Sequence, residues 1–156
     1  MGKEELELVS HFKYLGVTLD SNLTFKKYIK NLKSKLYFNL VNFKQIRPFL
    51  TADAAKTYLY CMIFSHIEYC ITNWSFACAT VIKPIERLYN RALKVFDRKP
   101  NMYHHCNLLE KHHFLSFKNL KFLRSACFVY KCLHGLAPPP LKEFIHEKRN
   151  TGHGTR

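Results

Sequence analysis

Residues 12–33, FKYLGVTLDSNLTFKKYIKNLK, decide the fold of this chain, because a short strand-forming run turns directly into a lysine-rich helix. Tyr14 and Val17 are good strand formers, and Gly16 between them permits a backbone bend. The polar residues after this run favour a turn and the start of a helix. The candidates for the helix N-cap are Ser21, Asn22 and Thr24. We therefore predict a strand or hairpin that leads into a basic amphipathic helix.

The first predicted helix, residues 23–46, separates apolar from basic residues. At about 100° per residue, one face carries the apolar residues Phe25, Tyr28, Ile29, Leu32, Leu36, Leu40, Phe43 and Ile46. Another face groups the basic residues Lys26, Lys30, Lys33 and Lys44, with Tyr37 among them. The chain has no acidic residue between Ser21 and Ala52, and Pro48 ends the helix.

Two more helices are predicted before residue 97. The second, residues 52–71, has Thr51 as its cap and is apolar on most sides, so we expect it to be buried. The third starts at Thr80 or Pro84 and ends at Phe96. One side of it is a basic ridge of Arg87, Arg91, Lys94 and Arg98. The other side is apolar and consists of Ile85, Leu88, Tyr89, Ala92 and Phe96.

The C-terminal part of the chain is predicted to contain a loop and further helices. Residues 97–115 are polar and indicate a loop. A fourth helix, residues 116–134, ends where Gly135 provides a natural C-terminal stop. A last short helix is expected over residues 141–148.

These predictions give a mainly α protein, with a short N-terminal strand or hairpin followed by a bundle of four to five helices. The predicted regions are an acidic N-terminus with the strand elbow (1–22), a three-helix region (23–96), a polar loop (97–115), a C-terminal helical region (116–147) and a disordered tail (148–156).

The charge of the chain indicates a polyanionic partner. The 156 residues include 25 lysines and arginines against 11 acidic residues, which gives a net charge of +14. Folding does not require this excess, which opposes compactness, so nucleic acid is its simplest explanation. The alternative is a surface that only keeps the protein soluble.

The sequence offers no recognisable catalytic or metal site. The three aspartates, Asp20, Asp53 and Asp97, are too far apart in sequence to indicate the clustered carboxylates of a two-metal site. The histidines and cysteine of the HHC-x5-HH segment match no zinc-site spacing. They are His104, His105, Cys106, His112 and His113. We therefore predict no enzyme activity, no bound metal and no cofactor.

Cysteine use and hydropathy indicate a protein of the cytoplasm or nucleus. Six cysteines without a secretory signal are expected to be reduced core residues. The most apolar run, residues 58–67, is too short to cross a bilayer, which needs about 20 residues. No membrane association is predicted.

Five segments, in order, resemble the thumb and post-thumb C-terminal region of LINE-type (non-LTR) retrotransposon reverse transcriptases. Together they cover residues 12–145. The segments are FKYLGV, RPFLTADAAKTYLYCMIFSHIEYC with Trp74, PIERLYNRALKVF, LLEKHHFLSF and CFVYKCLHGLAPPPL. The paired aspartates of the family's catalytic palm, in an F/Y-A-D-D turn, do not occur in this chain.

This resemblance implies a role in holding nucleic acid. Tyr14, Leu15 and Gly16 would belong to a primer-grip-like elbow, and residues 23–96 would be a thumb-like region that faces a template–primer duplex. The resemblance and the two basic ridges together give the residues that we expect to bind nucleic acid: Lys26, Lys30, Lys33, Lys44, Arg87, Arg91 and Lys94. We expect a non-catalytic fragment of a reverse transcriptase that binds the backbone of an RNA or DNA duplex without sequence preference.

Two alternatives stay open. The fourth predicted helix is apolar all round, so Phe122, Phe128 and Val129 are candidates for an exposed protein-binding face. In the second alternative, the chain is a relic reading frame without a selected function. Functional terms would then reach it only because such retroelement stretches resemble an N-terminal region of AlkB homologue 8-type proteins. The dioxygenase activity of such proteins is not expected, because no His-x-Asp motif of an iron site occurs in this chain.

Overall fold

The computed structural model describes residues 9–143. An antiparallel hairpin of β1 (His11–Tyr14) and β2 (Val17–Asp20) precedes the helices. The helices are α1 (Lys26–Ile46), α2 (Ala52–Tyr58), α3 (Ser65–Glu68), α4 (Ile71–Trp74), α5 (Ala79–Phe96), α6 (His105–His112), α7 (Phe117–Leu133) and α8 (Pro139–Glu143). A 3₁₀ turn (Arg47–Phe49) follows α1, and a π-helical segment (Leu59–Phe64) joins α2 to α3. The prediction of a mainly α protein with an N-terminal hairpin is confirmed.

The predicted bend at Gly16 is a two-residue hairpin turn. Tyr14 pairs with Val17, so Leu15 and Gly16 form the turn, with φ values of 45° and 85°. Positive φ at both central residues is the geometry that matches the twist of the flanking strands. The Tyr69 hydroxyl donates a hydrogen bond to the Leu15 carbonyl and ties the turn to the helical part of the molecule.

The start of α1 differs from the prediction. The helix begins at Lys26 rather than at Leu23, because Leu23 and Phe25 have φ values of 51° and 56°, outside the helical region. Phe25 occupies the N-cap position, so the predicted caps Ser21 and Asn22 are wrong, and Thr24 contributes only a long bond, which its hydroxyl accepts from the Lys26 N–H at 3.5 Å. The Asp20 carboxylate instead accepts hydrogen bonds from the backbone N–H groups of Thr24 (2.9 Å) and Phe25 (2.8 Å). The pKa of Asp20 is lowered, chiefly by the Thr24 bond.

The apolar face of α1 forms one wall of the core, as its pattern predicts. Its residues are buried except for Ile46, which lies at the exposed end of the helix. Asn39 is a buried polar residue among them, and its Nδ2 donates to the Met62 carbonyl at 2.6 Å. This bond satisfies a polar side chain that would otherwise be costly to bury.

The second predicted helix ends earlier than expected. α2, the π-helical segment and α3 continue only to Glu68, and Cys70 then adopts a φ of 50°. This turn brings Trp74 into the core, where it is 0% exposed and its Nε1 donates to the Tyr69 carbonyl at 3.0 Å. The helix is also less buried than predicted, since Tyr60 and Met62 are exposed.

The later helices match the prediction in part. α5 ends at Phe96 as expected, but it begins at Ala79 and contains Pro84 within it. α7 lies between the Ser116 cap, which accepts a bond from the Asn119 N–H, and Gly135 with a φ of 70°.

The polar loop predicted over residues 97–115 is wrong where α6 lies. Leu108 anchors α6 in the core, but eight mostly polar residues show too little apolar periodicity to reveal a helix. α8 begins at Pro139, two residues before the predicted start of the last short helix at residue 141. The predicted part of this helix after residue 143, the acidic N-terminus over residues 1–8 and the predicted tail lie outside the described residues.

Candidate nucleic-acid interface

The two helices that carry the predicted basic ridges, α1 and α5, lie side by side and run in the same direction. At their C-terminal ends, Arg47 Nε donates to the Phe96 carbonyl at 2.7 Å. At their N-terminal ends, Lys26 lies close enough to Cys78 to affect its thiol. The pKa of Cys78 is lowered first by its hydrogen bonds with Thr80 and further by the positive charge of Lys26.

A small groove of about 20 Å³ lies between the two basic ridges. It is lined by Tyr37, Leu40, Val41 and Lys44 of α1 and by Arg91 and Val95 of α5. Lys44 and Arg91, which come from different predicted ridges, therefore border the same groove. We call the joined face the α1–α5 surface; it comprises Lys26, Lys30, Lys33, Lys44, Arg87, Arg91 and Lys94.

The cations of this surface are available to an external ligand. The four α1 lysines and Arg87 are exposed, and Arg91 and Lys94 are half-buried. Lys26 and Lys44 are 18 residues apart on one helix, which corresponds to about 27 Å at 1.5 Å per residue. The surface is thus long enough to follow several successive phosphates of a nucleic-acid strand.

The acidic side chains that form ion pairs in the described chain bond to cations outside this surface. Asp97 accepts from Lys111 (2.9 Å) and from His112 (2.8 Å), and Glu68 pairs with Arg124. No ion pair among the side chains of residues 9–141 involves a cation of the α1–α5 surface. The positive charge of this surface is therefore not neutralised by salt bridges in this part of the chain.

The hairpin residues predicted to form a grip lie beside a different cavity. Tyr14 and Leu15 are exposed, and Gly16 lines a cavity of about 500 Å³ between the hairpin, α1 and α3. Its other lining residues are Lys13, Thr18, Tyr28, Asn31, Leu32, Lys35, His66 and Tyr69. Lys33 and Lys35 differ by about 200° around α1, so this cavity and the α1–α5 surface lie on opposite flanks of the helix.

Sequence reasoning missed the basic groups of this hairpin cavity. Lys13, Lys35 and His66 come from β1, α1 and α3, so only the tertiary structure brings them together. Burial lowers the pKa of His66, and the nearby charge of Lys35 lowers it further. The one sequence feature that pointed to this cavity is the stretch without acidic residues between Ser21 and Ala52, which contains Lys35.

A second basic pocket lies between α5 and α6. Its volume is about 320 Å³, and its lining combines predicted residues of the α5 ridge with three that were not predicted to bind nucleic acid, Asn90, Asn101 and His105. The complete lining is Arg87, Asn90, Arg91, Lys94, Asn101 and His105. Lys94 Nζ donates to the Asn101 carbonyl at 2.7 Å, which fixes the loop between the helices.

The structure divides the cluster of histidines and cysteine considered for zinc. The possible ligand atoms of His104, His105 and Cys106 lie within 4.8 Å of one another. His112 is separate, since its Nε2 bonds to Asp97. Three consecutive residues without a fourth ligand in the described chain do not form the closed tetrahedral shell of a structural zinc site. The absence of a metal stays a prediction.

The exposed side of α7 is apolar, as the interaction-module alternative expects. Phe122 is 75% exposed, and Phe128 and Val129 are also exposed. A shallow apolar groove runs along the C-terminal half of α7, where Tyr130 and Leu136 contribute to its walls. None of the residues that line this groove belongs to the α1–α5 surface.

Comparisons with family models, curated proteins and solved structures find no match to this chain. The resemblance to LINE-type reverse transcriptases thus rests on the five sequence segments alone. Among the helices of residues 9–143, none combines the length and the apolar character needed to cross a membrane.

Proposed function

We propose that the protein binds the phosphate backbone of nucleic acid, without sequence preference and without catalysis, through the α1–α5 surface. The observation that carries this proposal is the groove shared by Lys44 and Arg91. At this groove the two ridges, each of which could be an ordinary solvated helix face, lie next to each other. The resemblance to a reverse-transcriptase thumb supports the same role.

The chemistry of the surface suits phosphates rather than bases. Its binding groups are lysine and arginine side chains, most of them at one-turn spacings, which read charge and shape along a backbone. If about four phosphates are neutralised, the logarithm of the affinity should fall with the logarithm of salt concentration at a slope of roughly −3 to −4.

No catalytic role is proposed, because the aspartates that have partners in the structure serve the fold. Asp20 caps the approach to α1, and Asp97 holds Lys111 and His112. Neither carboxylate is paired with a second one as two-metal phosphoryl transfer requires. The proposed function is therefore binding of nucleic acid alone.

Replacement of Lys26, Lys30 and Lys33 by Glu tests this function. We expect the affinity for a short RNA–DNA hybrid, measured by fluorescence anisotropy at two salt concentrations, to fall by at least about tenfold. The circular dichroism spectrum should not change, because all three side chains are exposed. The salt slope should also become shallower.

The matched control changes Lys56, Lys118 and Lys131 to Glu. These lysines are exposed, lie on α2 and α7, and alter the net charge by the same amount. An equal loss of binding in both variants would contradict a localised site. Binding that does not depend on salt would favour the second candidate function, protein recognition by the exposed face of α7.

A further inference from the structure

The pocket between α5 and α6 collects hydrogen-bond donors from three segments around one recessed space. α5 supplies Arg87, Arg91 and Lys94, which are spaced i, i+4 and i+7 and so point to one side of the helix. The following loop supplies Asn101, and the start of α6 supplies His105. None of the lining residues is acidic.

This concentration of positive charge favours an anion. Burial lowers the pKa of His105, and the charges of His104 and Lys94 lower it further, while Glu86 acts in the opposite direction. α6 also begins at this pocket, and its N-cap residue His104 makes no side-chain capping bond. The first N–H groups of α6 thus add a partial positive charge to that of the side chains.

We propose that this pocket binds the terminal phosphate monoester of a nucleic-acid strand, an inference that rests on the proposed function. A backbone phosphodiester carries one charge and is substituted on two sides. A terminal monoester carries a charge of about −1.5 to −2 at neutral pH and presents three free acceptor oxygens. A recess with donors on several sides suits the terminal group, whereas the open α1–α5 surface suits the backbone.

Arg91 provides the continuity between the end of a strand and its backbone. It lines the α5–α6 pocket, and it also lines the groove that it shares with Lys44 of α1. A strand whose terminal phosphate enters the pocket would therefore pass directly onto the lysines of α1. The pocket binds the end of the strand, and the α1–α5 surface holds the adjoining nucleotides.

The test compares single-stranded 12-nucleotide probes of one sequence that carry a 5′-phosphate, a 3′-phosphate or hydroxyls at both ends. Fluorescence anisotropy should show at least one phosphorylated probe binding about tenfold more tightly than the hydroxyl probe. Inorganic phosphate, added at constant ionic strength, should abolish this advantage without displacing the hydroxyl probe.

Asn101→Asp is the informative variant because it places a carboxylate in the pocket with almost no change in shape. We expect it to reduce the phosphate advantage to less than about twofold and to leave the affinity for the hydroxyl probe unchanged. Arg87→Gln should also reduce the phosphate advantage, but it should weaken binding of the hydroxyl probe as well, because exposed Arg87 belongs to both the pocket and the α1–α5 surface. Asn107→Asp is the control, because exposed Asn107 lies on α6 outside the pocket lining.

Several results would overturn the assignment. Equal affinity of the wild-type protein for all three probes, with salt-dependent binding retained, would reject the pocket and leave the proposed function in place. A phosphoserine peptide that competes as well as inorganic phosphate, with no advantage for phosphorylated oligonucleotides, would reassign the pocket to phosphoproteins. Absence of binding to every probe would reject both proposals.

Discussion

α1 and α7, two long helices that each face solvent on one side, use their apolar residues in different ways. α1 has 21 residues and buries seven of them, whereas α7 has 17 residues and buries only Phe117, Leu120 and Cys132. In α1 the lysines are segregated from the apolar stripe. In α7 apolar residues occur on all sides, so one packed face still leaves large apolar side chains in solvent. Segregation of residue types, and not the apolar content of a helix, fixes which face is buried.

The largest expected difference between these helices is in the cost of removing a phenylalanine. Phe43 of α1 is 0% exposed and stacks on Tyr58 with ring centroids 4.8 Å apart. Phe43→Ala should lower the free energy of unfolding by about 3–5 kcal/mol. Phe122→Ala on α7, where the side chain is 75% exposed, should change it by less than about 0.5 kcal/mol. Urea denaturation followed by circular dichroism measures both.

A large effect of Phe122→Ala would break the comparison. It would mean that the exposed face of α7 is covered in solution, and the dependence of the urea midpoint on protein concentration would then show whether a second copy covers it. A small effect at both positions would instead contradict the placement of α1 in the core.

The ion pairs of Asp97 and of Arg124 should differ in the same direction, with a smaller magnitude. Asp97, next to the end of α5, has a side chain that is 11% exposed and accepts bonds from Lys111 and His112. Asp97→Asn should cost about 1–2 kcal/mol. The pair of Arg124 and Glu68, which connects α7 to α3, has side chains that are 46% and 22% exposed. Arg124→Gln should cost less than about 1 kcal/mol, as for exposed pairs in general.

The Asp97 contribution should also depend on pH. Burial raises the pKa of Asp97, but the bonds and charges of Lys111 and His112 outweigh burial, and the pKa lies below its ordinary value. Because the folded state favours the ionised form, this stabilisation is complete above the ordinary carboxyl pKa of about 4 and disappears as the pH falls through the lowered value. The stability difference between wild type and Asp97→Asn should therefore shrink as the pH falls below about 4. A difference that stays the same or grows between about pH 4 and pH 2 would contradict this account.

The sequence predicts the fold well where the residues of a single helix determine its bounds and its buried face. The apolar stripe of α1, the ridge of α5 and the ends of α7 are local patterns, and the structure reproduces them. α6 was not predicted, because Leu108 is its single buried residue and no periodic pattern of apolar residues marks the helix; α6 instead packs against α5. The role of Asp20 as a cap was also hidden, since it depends on the unusual φ values of Leu23 and Phe25.

The candidate site shows the same division between local and tertiary information. Every cation of the α1–α5 surface could be chosen from helical spacing alone. That Lys44 and Arg91 share a groove, or that Asn101 and His105 complete a pocket, could not be predicted, because these pairs come from segments that meet only in the folded chain.

Small effects are also expected at the two glycines with positive φ, one near each end of the described chain. Gly16 in the hairpin has a φ of 85°, and Gly135 after α7 has a φ of 70° with nothing within 4 Å of an added Cβ. Alanine at either position should cost about 1 kcal/mol, from backbone strain alone. Urea denaturation of Gly16→Ala and Gly135→Ala should then give equal shifts if the hairpin and the end of α7 unfold with the core. A shift for Gly16→Ala without one for Gly135→Ala would show that the end of α7 opens independently of the core. In that case the comparison sharpens: α1 belongs to the cooperative core, and the C-terminal half of α7, with its exposed apolar face, does not.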